Sequence, residues 1–223
     1  AVPRAFSTNS LQTKCSNIPI DTIKLTTNPL LNGTTFTWTR SNTNYITGAN
    51  SGNQTNIIET FRNKTNVLQT TFIHIVPTYN GCIGDILIDT IRVKPEPVAI
   101  SINSLQSKCS NIPIDTIKLT TNPLLNGTTF TWTRSNTNYI TGANSGNHSN
   151  IIETFRNKTN VLQSTFINIV PKYNGCRGDT LIDTIKIKPE PVSVLNIPSQ
   201  NVCNGLQIDT IFISADDHTL SPY

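Results

Sequence analysis

Short runs in which apolar and polar residues alternate are the main pattern of this chain. In residues 35–40, Phe36, Trp38 and Arg40 fall on one face and three threonines fall on the other. Runs with a period of two that are separated by Gly, Pro and Asn are typical of β-strands. The pattern therefore predicts an all-β protein of the β-sandwich class, with Trp38 and Trp132 packed in the sandwich cores.

The whole pattern recurs with a period of 94 residues. Residues 11–94 and 105–188 align without a gap and differ at 10 of 84 positions, which leaves 74 identical. We predict a first repeat at 1–94, a second at 95–188 and the N-terminal part of a third at 189–223, and we expect the chain to be a piece of a longer array. Tandem arrays are typical of proteins that span a distance or display a surface, whereas catalysis needs one asymmetric pocket.

Differences between the two copies assign faces to the strands. In the run that ends at Pro77, the differing positions share one parity, so we expect that parity to face solvent and Thr71, Ile73 and Ile75 to face the core. In the following strand, the same comparison gives Asp89 the inward parity. Because a lone carboxylate is costly to bury, we expect Asp89 at the rim of the sheet or in a bulge.

The five cysteines stand at positions 15, 82, 109, 176 and 203, so that a long and a short interval alternate. This spacing favours one bridge in each repeat, Cys15 to Cys82 and Cys109 to Cys176, with Cys203 left unpaired because the chain ends before its partner. Each such bridge stabilises its repeat by about 4 kcal/mol in the chain-entropy model. Two alternatives stay open: a Cys82 to Cys109 bridge across the repeat junction, and five free thiols in a cytosolic protein. Disulfides favour an exported, extracellular protein.

Composition excludes several function classes. Only 13% of the residues are charged, and the net charge of +4 is spread singly along the chain, without the basic clusters that bind nucleic acid. No apolar run approaches the ~18 residues of a membrane span. Threonine and asparagine together make up more than a quarter of the chain, which predicts a polar and weakly charged surface.

Candidate catalytic and metal-binding residues are few. His74, His148 and His218 have no histidine at the matching position of another copy, so no histidine site is a property of the repeat. Acidic residues near the repeat junction, such as Asp85 and Glu96, do not match the spacing of an EF-hand loop, and we expect them to be solvated. We therefore predict no enzymatic activity, no bound metal and no cofactor.

Several motifs together resemble a known family. A cysteine opening the repeat, the run TFTWT, the segment IVPxYNGCxGD and the closing KPEP are similar to the PKD-like, immunoglobulin-like repeats of Bacteroidota cell-surface adhesins, including gliding adhesins exported by the type IX system. The resemblance implies tandem immunoglobulin-like (PKD-like) β-sandwich domains in a linear rod, which the prolines at Pro95 and Pro97 would stiffen. It also implies a structural or adhesive role at the cell surface, with neighbouring repeats, surface polysaccharide or other cells as partners.

The sequence Ile-Asp-Thr-Ile occurs five times, twice in each complete repeat and once after Cys203. It is a good strand sequence by itself. The resemblance adds a second interpretation, because Asp followed by Thr or Ser and an apolar residue is similar to the O-glycosylation signal of that phylum. The candidate glycosylated residues are Thr22, Thr90, Thr116, Thr180, Thr184 and Thr210.

An alternative function is a carbohydrate-binding or spacer module of a secreted polysaccharide-degrading enzyme. Sugar binding of this kind needs exposed aromatic rings on a flat surface. Phe72, Tyr45 and Tyr79 are the candidates by strand parity and loop position, and we expect them to pack against the core or within loops instead.

Overall fold

The computed structural model describes residues 1–195, 199–208 and 210–216, so His218 lies outside the described residues. Within these ranges the chain forms β-strands and no helix, which confirms the predicted all-β fold class. None of the described segments could cross a membrane as an apolar helix.

The chain divides into two compact units that do not follow the repeat boundaries. The first unit includes all of the first repeat and three short segments of the second repeat. Its segments are Ala1–Ile100, Thr120–Thr129 and Val170–Asp179. The second unit consists of Ser101–Leu119, Phe130–Ile169 and Thr180–Tyr223.

Each repeat is built from short strands around a few long ones. The strands of the first repeat are β1 (Ala5–Ser7), β2 (Leu11–Cys15), β3 (Ile23–Thr27), β4 (Thr35–Arg40), β5 (Ile46–Thr47), β6 (Ser51–Gly52), β7 (Asn56–Ile57), β8 (Arg62–Asn63), β9 (Gln69–Tyr79), β10 (Cys82–Ile83) and β11 (Leu87–Lys94).

Two sheets pack face to face in the first repeat. The smaller sheet has the order β1-β3-β7, and the larger sheet has the order β2-β11-β9-β4-β6, with β10 paired to β9 as a hairpin. Strand β2 runs parallel to β11, so that Leu11 lies opposite Thr90 and Cys15 lies opposite Lys94. The parallel pairing places the first cysteine of the repeat at the end where β11 finishes.

The core lies between the inner faces of these sheets. Ile23 of β3 is fully buried, as are Ile73 and Ile75 of β9, and Trp38 of β4 is 1% exposed. Thr71 is also fully buried. The predicted faces of β9 and the predicted core position of the tryptophan are therefore confirmed.

The second repeat has the same architecture. Its strands are β12 (Ala99–Ile102), β13 (Leu105–Cys109), β14 (Ile117–Thr121), β15 (Thr129–Arg134), β16 (Ile140–Thr141), β17 (Ser145–Gly146), β18 (Asn150–Ile151), β19 (Arg156–Asn157), β20 (Gln163–Tyr173), β21 (Cys176–Arg177) and β22 (Leu181–Lys188). The sheet orders are β12-β14-β18 and β13-β22-β20-β15-β17, with β21 paired to β20.

The third segment begins in the same way. Strands β23 (Val192–Leu195) and β24 (Ile213–Asp216) pair antiparallel, with Ser193 opposite Ala215. In the first repeat the matching residues, Ala5 and Thr27, are opposite each other. The register between β1 and β3 thus recurs two periods further along the chain.

A tight turn joins β9 to β10. Asn80 and Gly81 have φ of 48° and 78°, and Tyr79 pairs with Cys82. Positive φ at both central residues is the geometry of a type I′ hairpin, which Asn-Gly favours. The second cysteine of the repeat therefore sits at the tip of a hairpin.

Asp89 corrects the sequence prediction. It lies in the middle of β11, opposite Ile73, with 0% of its surface exposed, so a place at the rim or in a bulge is wrong. Its Oδ1 accepts a hydrogen bond of 2.8 Å from Ser7 Oγ, which links the two sheets, and its Oδ2 has no partner among the described residues. Burial raises the pKa of Asp89, and the hydrogen bond from Ser7 opposes this shift.

Arg40 shares the inward face of β4 with Trp38, as its parity predicts, and its guanidinium holds the loop that follows the strand. Its Nε donates to the carbonyl of Ala49 at 2.7 Å, and its Nη2 donates to the carbonyl of Ile46 at 2.8 Å. The guanidinium also stacks over the ring of Phe61, 5.4 Å from the centroid. Burial lowers the pKa of Arg40. These bonds give the loop a fixed shape because carbonyl groups converge on one charge.

Candidate functional site

Among the described residues one disulfide is present, and it joins Cys15 to Cys176, with the two Cα atoms 5.5 Å apart and a sequence separation of 161 residues. Both cysteines belong to the first compact unit. Cys82, Cys109 and Cys203 are free and exposed in the described part of the chain. The predicted bridges within each repeat are therefore wrong, and so is the alternative bridge between Cys82 and Cys109.

Strand geometry explains why a bridge within one repeat does not form. Cys15 lies opposite Lys94, the last residue of β11, whereas Cys82 lies beyond Leu87, the first residue of that strand. Seven residue steps along a strand span about 23 Å. A disulfide requires Cα atoms within about 7 Å. Sequence spacing does not show that the two cysteines of a repeat lie at opposite ends of its larger sheet.

The second repeat has the same cysteine positions. Cys109 lies opposite Lys188 at the end of β22, and Cys176 pairs with Tyr173 at the hairpin tip. Each cysteine therefore occupies the same place on its strand as its counterpart in the first repeat. Repetition of the register shows that this placement is a property of the repeat.

A second contact lies in the same compact unit as the disulfide. The Nζ of Lys94, opposite Cys15, donates a hydrogen bond of 3.0 Å to the carbonyl of Asn174. Asn174 is two residues before Cys176 in the hairpin between β20 and β21. A covalent bond and a hydrogen bond therefore hold this hairpin at the end of β2 and β11.

A groove near the end of each repeat carries charged side chains. The first of these grooves is lined by Arg62 and Lys64 of the first repeat and by Glu96 just after it. Glu96 Oε2 accepts hydrogen bonds from Asn17 Nδ2 at 2.8 Å and from Arg62 Nε at 3.2 Å. No cluster of three or more His, Cys, Asp or Glu side chains suited to a metal ion occurs among the described residues. The groove is an ion-paired polar surface.

The candidate glycosylation sites fall into different environments. Thr22 and Thr116 are half-buried, and the aspartates before them are exposed. Thr180 and Thr210 are exposed outside the strands. Asp21 also forms an ion pair of 2.6 Å with Lys14.

Two further candidates differ sharply from these. Thr90 and Thr184 lie inside β11 and β22, half-buried, and each follows a buried aspartate, Asp89 or Asp183. An enzyme that reads the aspartate in a folded repeat would reach Thr22 and Thr116 more easily than this pair.

The aromatic candidates are more exposed than expected. Phe72 is 44% exposed and Tyr45 is also exposed, so a core position is wrong for these two residues, while Tyr79 is half-buried. Phe72 lies opposite Thr90, which lies opposite Leu11, and together they form a row across the outer face of the larger sheet.

The sequence matches one protein family twice. Residues 12–97 and 106–191 each match the PKD-like domain family. The chain belongs to the PKD-like domain family. Such domains are typically structural modules without catalytic activity.

Known structures supply neighbours of low identity, and no curated protein matches the sequence. The chain resembles the crystal structure of DIP-gamma IG1+IG2 with 10% identity and a TM-score of 0.34, over 85% of this chain and 98% of that one. It resembles a SusE-like surface located polysaccharide binding protein from the Bacteroides thetaiotaomicron heparin utilisation locus with 7% identity and a TM-score of 0.38, over 82% and 34%. For the Yersinia pseudotuberculosis adhesin InvE the identity is 13% and the TM-score 0.29, over 82% and 58%.

Proposed function

We propose that this chain is a non-enzymatic structural and adhesive segment of a large cell-surface or filament protein, and that it acts as a stiff stalk. The observation that carries the proposal is the Cys15–Cys176 bridge, which ties the first repeat to the second. A bond of this kind adds nothing to a catalytic pocket. It limits how far a chain extends when its two ends are pulled apart.

The repeated architecture supports the same function. Two nearly identical sandwiches follow each other along the chain, and the strand register of a third repeat begins after them. Such repetition adds length without adding a new surface. We propose that the boundaries 1–94, 95–188 and 189–223 mark successive modules of a linear rod, and that adhesion to other cells or to surface polysaccharide involves the array.

An extracellular location fits the disulfide, because such bonds persist in oxidising compartments. We propose export to the cell surface, and the gliding adhesins secreted by the type IX system are the class that the motifs most resemble. Covalent glycans belong to this proposal. The sites we favour are Thr22, Thr116, Thr180 and Thr210, since Thr90 and Thr184 follow buried aspartates.

Single-molecule pulling tests the stalk function directly. With handles at residues 1 and 223, the fully extended length of the oxidised chain should be about 58 nm shorter than that of the reduced chain. The difference is the 161-residue segment between the bridged cysteines, which the bond prevents from extending. Reduction should release that length and give two unfolding events of equal size. An oxidised chain that reaches its full extended length would contradict the proposal. The two bridges predicted from spacing would together reduce the extended length by less, about 48 nm.

A second candidate function is carbohydrate binding, and the exposed ring of Phe72 is the observation that favours it. The equivalent Phe166 is 47% exposed, so each repeat presents one phenyl ring on the outer face of its larger sheet. Stacking against a sugar ring uses such a surface. A glycan array should show binding that the double variant Phe72→Ala/Phe166→Ala loses and that Leu30→Ala, at another exposed site, retains. An array without any bound glycan would remove this candidate.

A further inference from the structure

The cysteines of the array fall into two positional classes. The first cysteine of a repeat ends the strand that runs parallel to the last strand, and Cys15 and Cys109 are of this class. The second cysteine follows the Asn-Gly turn, and Cys82 and Cys176 are of this class. The observed bond therefore joins a first cysteine to the second cysteine of the following repeat.

We propose that Cys82 and Cys109 are half-sites for disulfides with further copies of this repeat, in the same staggered register. In this arrangement Cys109 bonds the second cysteine of a copy that follows it, and Cys82 bonds the first cysteine of a copy that precedes it. The occupant of each half-site is thus another copy of the repeat. The inference rests on cysteine register, and it does not depend on an adhesive role.

The sequence around each half-site matches that of the bonded residue. Cys109 lies in the run KCSNIP, as Cys15 does, and Cys82 lies in YNGC, as Cys176 does. Position in the sheet is also the same, because Cys109 is opposite Lys188 just as Cys15 is opposite Lys94. The free thiols therefore share the strand position and most of the local sequence of the bonded ones, with Ile83 in place of Arg177 after the second cysteine.

The bonded cysteines are more buried than the free cysteines at the equivalent positions, as expected if the free ones lack their partner. Cys176 is 1% exposed in its bond, whereas the equivalent Cys82 is exposed. Cys15 is half-buried, whereas the equivalent Cys109 is exposed. Each free thiol is thus accessible where its bonded counterpart is covered.

The lysine beside each first cysteine adds a matching polar contact. Lys94 donates to the carbonyl of Asn174 next to the bridge, and Lys188 makes no such bond among the described residues. In the staggered register, Lys188 would find the carbonyl of the matching asparagine in a following copy. The half-site at Cys109 therefore consists of a thiol and a hydrogen-bond donor on adjacent strands.

Formation of the bond proceeds by thiol–disulfide exchange with a low-molecular-weight disulfide. The thiolate of Cys109 attacks this oxidant, forms a mixed disulfide and releases one small thiol. The thiolate of the partner cysteine then attacks the sulfur of Cys109 and releases the second small thiol. The two cysteines lose two protons and two electrons, and the oxidant gains them.

Staggered bonds give loops that overlap along the chain. The loop closed by Cys15 and Cys176 includes Cys109, so a bond from Cys109 to a later copy would start inside it. An inner repeat would then be tied to both neighbours. Under load, most of the array would stay folded because little chain lies outside a closed loop.

The proposal is tested with the full chain lengthened by one extra copy of residues 95–188 placed after residue 188. Peptide mapping by mass spectrometry without reductant should find Cys15–Cys176 and, in addition, Cys109 bonded to the second cysteine of the added copy. Any bridge within one repeat, or a Cys109 that stays free, would overturn it. A matched variant with serine at the added second cysteine should leave Cys109 open to alkylation.

The unmodified chain provides a second measurement that does not depend on the folding of the longer one. Without denaturant, iodoacetamide should label Cys82, Cys109 and Cys203 and leave Cys15 and Cys176 unlabelled. Because Cys176 is 1% exposed, the variant Cys15→Ser should add Cys176 to the labelled set when labelling is repeated in denaturant, whereas Cys82→Ser should change only its own label. Protection of Cys82 or Cys109 in the monomeric, unmodified chain would contradict the half-site assignment.

Discussion

The two repeats have nearly the same sequence and the same strand order, yet residues at their ends differ in environment. Glu96 has a side chain that is 8% exposed and pairs with Arg62 at 3.2 Å, whereas the side chain of Glu190 is 51% exposed and lies 3.7 Å from Arg156. The first cysteine is bonded in the first repeat and free in the second. The interiors match, while the ends depend on the adjoining segments of the chain. This contrast shows which properties belong to the repeat and which belong to the array.

The largest expected effect separates the two first cysteines. Cys15→Ser opens a loop of 161 residues and should cost about 5 kcal/mol of unfolding free energy in the chain-entropy model. Cys109→Ser, at the same position of the second repeat, should cost less than about 0.5 kcal/mol because its thiol is free and exposed. Urea unfolding under oxidising conditions measures both. Equal losses from the two variants would contradict the contrast between the ends.

Arginine substitutions should show that the interiors are equivalent. Arg40→Ala and Arg134→Ala each leave buried carbonyl groups without their donor, and each should cost about 3 kcal/mol. Arg134 makes the same bonds, to Ala143 at 2.7 Å and to Ile140 at 2.9 Å. The exposed Arg92→Ala is the control and should change stability little. Thermal unfolding that shows a large loss in one repeat and none in the other would break the comparison.

The buried aspartates predict a shared pH dependence. Burial raises the pKa of Asp89 and of Asp183, so their contribution to stability is complete below the unfolded pKa of about 3.9 and is lost as the pH rises through the folded value. The double variant Asp89→Asn/Asp183→Asn removes this loss. Its stability relative to the natural chain should therefore increase between pH 4 and pH 8. Urea titrations that keep the same difference at all pH values would disprove the assignment.

The smallest expected effect comes from one of the ten differences between the copies. Trp38 Nε1 donates to Gln54 Oε1 at 3.1 Å, and the second repeat has His148 at the position of Gln54. Gln54→Ala should cost about 1 kcal/mol. His148→Gln should stabilise the second repeat by up to about 1 kcal/mol by giving Trp132 the same partner. Tryptophan fluorescence during unfolding follows both, and a destabilised His148→Gln would contradict this explanation.

Local patterns predicted the interior of the repeat well. Differences between the copies gave the inward face of β9 and alternating residues gave the burial of Trp38, because each depends on neighbours within a few residues. Asp89 was misplaced since its partner, Ser7, is 82 residues away in the other sheet. Parity showed that it points inward, but it could not show the hydrogen bond that makes burial tolerable.

The cysteine bridge could not be predicted from spacing for a similar reason. Pairing depends on which end of the sheet each cysteine occupies, and that follows from the parallel pairing of β2 with β11. Nothing in a short strand such as β2 indicates that its parallel partner is the last strand of the repeat. The exposure of Phe72 could have been predicted from the sequence. Its outward parity was assigned correctly, and only the expectation that it packs against the core was not.

Peptide mapping of the natural chain, digested without reductant under conditions that block thiol exchange, tests the central claim most directly. The account predicts one cross-linked peptide pair that contains Cys15 and Cys176, with Cys82, Cys109 and Cys203 alkylated. Recovery of Cys15 joined to Cys82 and of Cys109 joined to Cys176 would contradict it, since each repeat would then be closed by itself.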